Sequence, residues 1–434
     1  MTIIIMSMDK RTAQSAKNKI VKKRMTLSFV AMPLAVMSLL FSTAACSDQS
    51  VIDTNGDLAK YQEAENSVVN EFSHSEKPTF TTKTVASFDE PWAMTALPRI
   101  HNQPPKLLVT QKAGELLIVD TATGVKTSVN GVPKVAYGGQ GGLGDIILAP
   151  DFATSNNVYI SYVEAGAGAA SNKFGAKVIK ATLTGLDTDA PRFQAIIPIW
   201  EQTLKLKGQG HYSHRLRFSP DGKYLYISSG ERQEKTPAQD MRVNLGKIIR
   251  LHADGSVPTD NPFEENGSDI AAQFWTIGHR NVLGMAFDDK GRLWAHEMGP
   301  RGGDEFNLIE KGNNYGWPVV SNGRNYSGTD IPDHDTRPDF VAPKISWTPV
   351  ISPSSMSIYQ TGKYNDFPAW QNNALISGLS SKALIVVKFD GKNGAAERYR
   401  YNMGERIRSV LTVDGQVWLL EDGDKGRLLQ LLPQ

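Results

Sequence analysis

Short apolar runs, each introduced by a turn, recur along most of the chain. In residues 414–420 an Asp-Gly pair leads into Gln-Val-Trp-Leu-Leu, and residues 221–227 have the same form. An Asp-Gly pair supplies the left-handed backbone of a tight hairpin, and no helical periodicity of useful length accompanies it. The chain contains six such runs, at residues 105–110, 157–162, 221–227, 290–295, 373–377 and 414–420.

The spacing of these runs predicts the architecture. The first and last of the six strands start at Lys106 and Val417, which gives a mean step of about 62 residues. A four-stranded propeller blade takes roughly 40 to 50 residues in compact repeat families, so this step indicates blades with long loops. We therefore predict an all-β fold, a six-bladed β-propeller of four-stranded antiparallel blades, over residues 79–434. A pair of β-sandwiches is the alternative, because the steps are unequal.

Composition excludes several kinds of protein. The formal net charge is only +2, and no basic stripe with interleaved aromatic residues follows the N-terminal segment, so we expect no nucleic-acid partner. The chain has one cysteine, Cys46, which excludes an intramolecular disulfide and a thiolate-rich zinc site.

The position of that cysteine indicates export. Three basic residues at 22–24 precede an apolar run at 25–45 that ends in Ala-Ala directly before Cys46. This order is typical of a signal peptide, and its exit resembles a bacterial lipobox, in which the cysteine is lipidated. We assign residues 1–46 to the signal peptide, with Met25 a credible initiator, and the polar residues 47–78 to a flexible tether. The mature protein is then periplasmic or tethered to the outer membrane; simple cleavage that leaves a free thiol is the alternative.

A glycine-rich segment at 139–144 matches the dinucleotide pattern G-x-G-x-x-G. That pattern needs a helix N-terminus directly after it to hold a pyrophosphate. The following residues are Asp-Ile-Ile-Leu-Ala-Pro, which favour a strand. Nicotinamide binding is therefore not expected.

Three other segments carry chemistry. Glycines flank His211, as in a loop that presents an imidazole at a channel mouth, but His214 follows closely and the segment alone leaves a structural role equally open. Arg280 and Asn281 could bind a carboxylate and a carbonyl, although a brace between blades is favoured from that segment alone. Arg406 and Arg408 place two guanidinium groups on one face of a strand, where a solvated edge is the simpler interpretation.

Taken together and in order, these segments resemble the PQQ-dependent soluble glucose dehydrogenase and aldose sugar dehydrogenase family, the glucose/sorbosone dehydrogenase group. The motifs that carry the resemblance are Gly-His-Arg-Asn at 278–281, Gly-Pro-x-x-x-Asp-Glu-x-Asn-Leu-Ile at 299–309, Asn-Tyr-Gly-Trp-Pro at 314–318 and Pro-Ser-Ser at 353–355. The resemblance covers the chain from about residue 85 to its end. It implies a quinoprotein that oxidises aldose sugars at C1 to lactones and passes electrons to a quinone or a carrier protein.

The resemblance also assigns roles to residues. His211 would be the general base that takes the proton of the anomeric hydroxyl, a role that suits an imidazole near neutral pH. The cofactor PQQ would be held by Arg280, Asn281, Arg406 and Arg408, and Gln140 would lie beside the sugar and the quinone.

Calcium is the second group that the resemblance implies. The carbonyl oxygens of Gly299 and Pro300 would ligate a catalytic calcium, with Asp304 nearby, and Glu305 and Tyr315 match a second, structural site. Carbonyl and carboxylate oxygens are the ligands that Ca²⁺ prefers, although the spacing here is not that of an EF-hand.

The chain departs from the family at three positions. It has Gly210 where the glucose dehydrogenases carry Asp, Met298 where they carry Gln, and Ser380 where a cofactor-contacting Lys falls, with Lys382 two residues on. The last departure favours an alternative, a non-catalytic propeller that binds glycans or partner proteins. A calcium-dependent propeller lactonase without a redox cofactor is the other alternative.

Overall fold

The computed structural model describes residues 77–99, 103–264 and 268–434, and its regular structure is almost entirely β-strand. Within these residues, twenty-four strands form six antiparallel sheets of four strands each. The predicted six-bladed β-propeller is confirmed. The predicted signal peptide and nearly all of the predicted tether lie outside the described residues.

The strands follow one another in chain order, four to a blade. They are β1 (Phe80–Phe88), β2 (Pro91–Ala96), β3 (Lys106–Gln111), β4 (Glu115–Asp120), β5 (Lys126–Ser128), β6 (Leu143–Leu148), β7 (Asn157–Ala165), β8 (Phe174–Thr184), β9 (Arg192–Glu201), β10 (Ser213–Phe218), β11 (Tyr224–Ser229) and β12 (Lys247–His252). They continue as β13 (Phe274–Ile277), β14 (Val282–Phe287), β15 (Leu293–Glu297), β16 (Asp304–Ile309), β17 (Ile345–Trp347), β18 (Pro353–Ile358), β19 (Ala374–Gly378), β20 (Ala383–Phe389), β21 (Ala395–Asn402), β22 (Ile407–Val413), β23 (Gln416–Glu421) and β24 (Gly426–Pro433). The described residues form one short α-helix, α1 (Phe152–Ser155), and several single turns of 3₁₀-helix. None of these described helices is long and apolar enough to cross a membrane.

The ring closes by joining the two ends of the propeller. Strand β1 pairs with β24, from Phe80 opposite Pro433 to Phe88 opposite Gly426, and completes the sheet of β22, β23 and β24. The first strands of the blades, β2, β6, β10, β14, β18 and β22, each contact the next one around the ring. These six strands therefore line the central channel, where their short free edges are protected by the neighbouring blades.

The core is divided among the interfaces between blades. The described residues form eight apolar clusters, and each of the six largest joins residues of two neighbouring blades. In β23, Val417 and Leu419 pack toward the preceding blade, whereas Trp418 and Leu420 pack toward the next. Because successive side chains of a strand point to opposite faces, a strand covered on both faces is apolar at every position.

This packing explains the repeat seen in the sequence. All six apolar runs fall on β3, β7, β11, β15, β19 and β23, the second strand of each blade. These strands lie inside their sheets and have a neighbouring blade on each face, so nearly every side chain in them is buried. The runs therefore mark the blades one by one.

The antiparallel order brings two kinds of loop to one end of the ring. In each blade the first strand begins, and the second strand ends, at the same end of the sheet. Below these loops the channel is nearly filled, and the space left between the inner strands at Arg215 and Met285 is about 50 Å³. This space is too small for a ligand of sugar size, so the channel interior itself offers no binding site for one.

Candidate active site

The loops at this end carry nearly all of the predicted site residues. Gln140 precedes β6, His211 precedes β10, and Arg280 and Asn281 precede β14. The predicted calcium residues at 299–305 run from the β15–β16 loop into the start of β16, and Arg406 and Arg408 lie at the start of β22. The fold brings these separate segments to one mouth of the channel, and Tyr315 reaches the same region from the long segment between β16 and β17.

His211 is buried and fixed at both its backbone and its ring. Its N–H donates to Oε1 of Gln140 at 2.8 Å, and its Nδ1 is hydrogen-bonded to Oε1 of Glu231. The second oxygen of Glu231 accepts from the N–H of Lys235, and the Glu231 N–H donates to the Arg280 carbonyl at 3.0 Å. A carboxylate on Nδ1 holds the tautomer in which Nε2 is free to accept a proton.

The electrostatics of this pair keep the imidazole neutral. Burial lowers the pKa of His211 below 6.5, the hydrogen bond to Glu231 raises it in part, and the positive charge of Arg280 lowers it again. Burial alone would raise the pKa of Glu231, but its interactions with His211, the backbone N–H of Lys235 and the charge of Arg280 together outweigh burial and hold that pKa below its ordinary value. The arrangement is therefore a neutral base backed by an ionised carboxylate.

His214, the neighbour that the sequence could not separate from His211, is part of the core. Its ring stacks on Trp92 with centroids 4.9 Å apart, and its Nδ1 is 2.8 Å from the hydroxyl of Ser161. Burial lowers the pKa of His214 to about 3. Only 2% of its surface is exposed, so it is not placed to reach a ligand at the mouth.

The Gly-His-Arg-Asn segment combines the two roles that its sequence left open. His279 is a brace, because its ring nitrogens are hydrogen-bonded to Glu297 at 2.8 Å and to Thr276 at 2.9 Å. Glu297 also accepts from the backbone N–H of Arg280 at 2.6 Å. The brace thus fixes the backbone from which the side chains of Arg280 and Asn281 project.

Those two side chains keep unused hydrogen-bond donors. Arg280 donates to the carbonyl of Met298 at 3.0 Å and to the hydroxyl of Tyr326 at 3.2 Å, but its Nε has no partner in the described part of the chain. Asn281 accepts from Ser213 at 3.0 Å, and its Nδ2 is likewise without a partner there. Buried donors are costly to leave unsatisfied, so these two atoms are available to the acceptor oxygens of a ligand.

Arg406 and Arg408 converge on one carboxylate that sequence reasoning missed. Asp422 accepts from Nε of Arg406 at 2.8 Å and from Nε of Arg408 at 2.7 Å. Burial would raise the pKa of Asp422, but the two guanidinium groups lower it overall. The Arg406 side chain remains 44% exposed at the mouth, whereas that of Arg408 is 15% exposed and also donates to the Ser354 hydroxyl at 3.2 Å.

The predicted catalytic calcium site is organised by Asp304. Its carboxylate accepts the backbone N–H of Gly299 at 2.8 Å, of Ile351 at 2.8 Å and of Ser352 at 2.7 Å. Burial raises the pKa of Asp304 to about 6. Within the described residues, the carbonyl oxygens of Gly299 and Pro300 accept no hydrogen bond. Asp304 therefore fixes the loop, and the two carbonyls remain available to a hard cation.

The predicted second calcium position lies against a buried pair of acids. Glu305 pairs in register with Glu297 of β15, and its Oε1 is 3.3 Å from Nε2 of His334. Burial raises the pKa of Glu305, although His334 opposes the shift. Tyr315 stacks on His279 with centroids 4.7 Å apart. No group of three His, Cys, Asp or Glu side chains placed to bind a metal occurs among the described residues, so a cation here would need carbonyl ligands.

The position of the missing lysine is occupied by small polar groups. The hydroxyl of Ser380 donates to Ser352 at 2.8 Å, and Lys382 is directed to Glu405 at 3.9 Å with about half of its side chain exposed. Met298 contributes its backbone, since its carbonyl binds Arg280 and its N–H donates to the Asn281 carbonyl at 3.2 Å.

Comparison with known proteins identifies the family of the chain. Residues 88–430 match the model of the glucose/sorbosone dehydrogenase family. The aldose sugar dehydrogenase YliI of Escherichia coli strain K12 is 38% identical over 354 residues, which are 80% of this chain and 91% of that protein. The crystal structure of the apo form of the soluble aldose sugar dehydrogenase from Escherichia coli superposes with a TM-score of 0.72 at 36% identity, covering 82% of this chain and all of that one. The PQQ-bound aldose sugar dehydrogenase of Streptomyces coelicolor gives a TM-score of 0.65 at 28% identity, covering 83% of this chain and all of that one.

Proposed function

The chain belongs to the glucose/sorbosone dehydrogenase family, and from that premise we propose that it oxidises aldoses at C1 to lactones with PQQ and calcium. It is an oxidoreductase of the PQQ-dependent sugar dehydrogenase type, acting on CH–OH donors. One observation carries the proposal: two buried donors without partners, Nε of Arg280 and Nδ2 of Asn281, lie next to His211. The Nδ1 of His211 is hydrogen-bonded to Glu231, which leaves its Nε2 free to act as a base.

The donor set fits PQQ, which carries three carboxylates and an ortho-quinone. Arg406 and Arg408 would hold carboxylate groups at one side of the mouth, while Arg280 and Asn281 would bind acceptor oxygens at the other. Asp422 keeps the two arginines in position and offsets only part of their charge. When bound, PQQ supplies the quinone that accepts a hydride from C1 of the sugar.

The protein's own part in the reaction is proton transfer. Nε2 of His211 accepts the proton of the C1 hydroxyl, and the imidazolium that forms is stabilised by Glu231 through Nδ1. The same carboxylate prevents the ring from turning, because its other oxygen is held by the backbone of Lys235. Gly299 and Pro300 would present their carbonyl oxygens to calcium, a Lewis acid that polarises a ligand oxygen.

Export and electron transfer complete the proposal. The order of basic, apolar and Ala-Ala-Cys46 residues supports a lipoprotein tethered outside the cytoplasm. A sugar dehydrogenase in that position would pass its electrons to a quinone or a carrier protein.

Reconstitution tests the function directly. Purified protein is loaded with PQQ and Ca²⁺, and dye reduction is measured across a panel of aldoses. We expect aldose-dependent dye reduction that requires PQQ. Lactone hydrolysis without PQQ would instead identify a calcium-dependent lactonase, and glycan binding with no turnover would identify a non-catalytic propeller.

A further inference from the structure

We propose that the side-chain amide of Gln233 reads the sugar hydroxyl next to the reacting carbon, as a specificity residue of the site described above. The inference rests on the proposed function and adds to it the group that selects the substrate. It concerns the loop after β11, which also carries Glu231.

The first observation is where this amide lies. A Cβ atom built at Gly210 would be 2.3 Å from Oε1 and 2.5 Å from Cδ of Gln233, so the amide occupies the space directly over Gly210. Gly210 is buried and immediately precedes His211. The amide therefore stands one residue from the base, in space that a side chain at position 210 would otherwise fill.

The second observation is that the Gln233 amide is exposed and has no hydrogen-bond partner among the described residues. The nearby Gln140, in contrast, accepts from the His211 backbone N–H at 2.8 Å, and the side chain of Gln209 packs against Gly138. Gln233 is thus a free donor and acceptor beside the base.

The third observation is that the loop is held in a costly conformation. Arg232, Gln233 and Lys235 have φ of +63°, +64° and +61°, a region that residues other than glycine seldom adopt. Buried Arg232 locks this shape by donating to the carbonyls of Gly210 at 2.8 Å and Gly208 at 2.7 Å. Strain of this kind persists where the surroundings enforce it, commonly at ligand sites.

The chemistry of an amide defines the ligand class. A hydroxyl group both donates and accepts, and so does a primary amide, whereas a carboxylate only accepts. The carboxylate in contact with the base, that of Glu231, is already bonded to His211 and Lys235. With the C1 hydroxyl on His211, the amide over Gly210 is placed for the hydroxyl on C2 of a neutral aldose.

Two substitutions displace this amide in different ways. Gln233→Ala removes it. Gly210→Ala pushes it aside, because the new Cβ collides with the end of a flexible side chain while the backbone of Gly210 lies outside the left-handed region. Glu234→Ala, in the same loop and also exposed, is the matched control. Thermal midpoints of all variants are compared first to verify folding.

The experiment measures kcat and KM for glucose and 2-deoxyglucose with enzyme loaded with PQQ and calcium. Each of the two displacing variants should raise KM for glucose roughly 2- to 10-fold, the worth of one neutral hydrogen bond, with kcat little changed. KM for 2-deoxyglucose should stay near the wild-type value. The double variant should lose no more than either single one, since both remove the same contact.

The outcomes separate this inference from the function beneath it. If wild-type enzyme oxidises no aldose, the proposed function fails and this inference fails with it. If wild-type enzyme is active but both displacing variants keep the glucose KM of Glu234→Ala, the inference alone is overturned. Equal losses for glucose and 2-deoxyglucose would also overturn it, because the amide would then not read C2.

Discussion

Replacing Glu231 with Gln isolates what the carboxylate contributes to the base. The pair is almost fully enclosed, with 8% of the His211 side chain and 1% of the Glu231 side chain exposed. A hydrogen bond to a charged group contributes about 1.5 to 3 kcal/mol, and the imidazolium forms only during the reaction. The substitution should therefore lower turnover by roughly 10- to 150-fold at saturating PQQ, since 1.36 kcal/mol is about a factor of ten.

The pH profile gives a second, independent readout. The base acts when neutral, so the acid limb of kcat/KM follows the pKa of His211, which burial places below 6.5. The Glu231 charge raises that pKa, so removing the charge lowers it further. The variant should combine a lower plateau with an acid limb displaced to lower pH. Initial rates of dye reduction between about pH 5 and 8 would record both effects.

Two controls decide whether the pair acts as a unit. His211→Ala should lower turnover by roughly 10²- to 10⁴-fold. Adding Glu231→Gln to that variant should lower turnover little further, because both substitutions remove the function of the same His211–Glu231 pair. Glu234→Gln, an exposed acid in the same loop, should behave as wild type. Wild-type turnover and an unmoved acid limb in Glu231→Gln would refute the reasoning, and so would fully additive losses in the double variant.

Four further predictions test other parts of the molecule. Arg408→Ala should raise the PQQ concentration needed for half-maximal reconstitution roughly 10-fold or more, as measured by titrating PQQ into cofactor-free protein. Its turnover at saturating PQQ should fall less than that of His211→Ala. Chelation of calcium should lower the thermal midpoint and the activity, with poor rescue by magnesium, because a ligand that binds the native state alone stabilises it; full activity in excess chelator would contradict the site. Burial lowers the pKa of His214 to about 3 in the native state, so below pH 6.5 the unfolded chain binds a proton that the native state does not, and the free energy of unfolding falls as pH falls. In denaturant titrations, the free energy of unfolding of His214→Asn should fall less steeply, by about 1.4 kcal/mol per pH unit. Cys46→Ser should abolish lipid labelling and release soluble protein, whereas unchanged membrane retention would indicate an uncleaved anchor.

The six-bladed architecture was predictable because the second strand of each blade has a neighbouring blade on both faces and is therefore apolar at nearly every position. Residues 417–420 are apolar without alternation, since Val417 and Trp418 pack into different interfaces. Six such runs mark six blades. The closure of the ring was not predictable in the same way: the pairing of Phe80 with Pro433 joins residues at opposite ends of the propeller, and no local pattern records it.

The side chains of the candidate site were partly predictable, and their partners were not. His211 and the arginines stand in recognisable motifs at the starts of inner strands. Glu231 and Asp422 follow second strands in polar loops, where acids are common and usually solvated. Only the fold shows that the first lies behind an imidazole and the second between two guanidinium groups.

The acids that sequence reasoning missed explain how a site with so many cations can exist before its ligand arrives. Glu297 fixes the backbone of Arg280, Glu231 fixes His211, and Asp422 fixes Arg406 and Arg408. Asp422 offsets the cost of gathering two guanidinium groups in a partly buried mouth, and all three acids set the direction of the groups that they bind. Because the acids satisfy the supporting contacts, Nε of Arg280 and Nδ2 of Asn281 remain available to an anionic, oxygen-rich cofactor. Removal of one of these acids should therefore impair cofactor binding or proton transfer, according to whether that acid holds an arginine or His211.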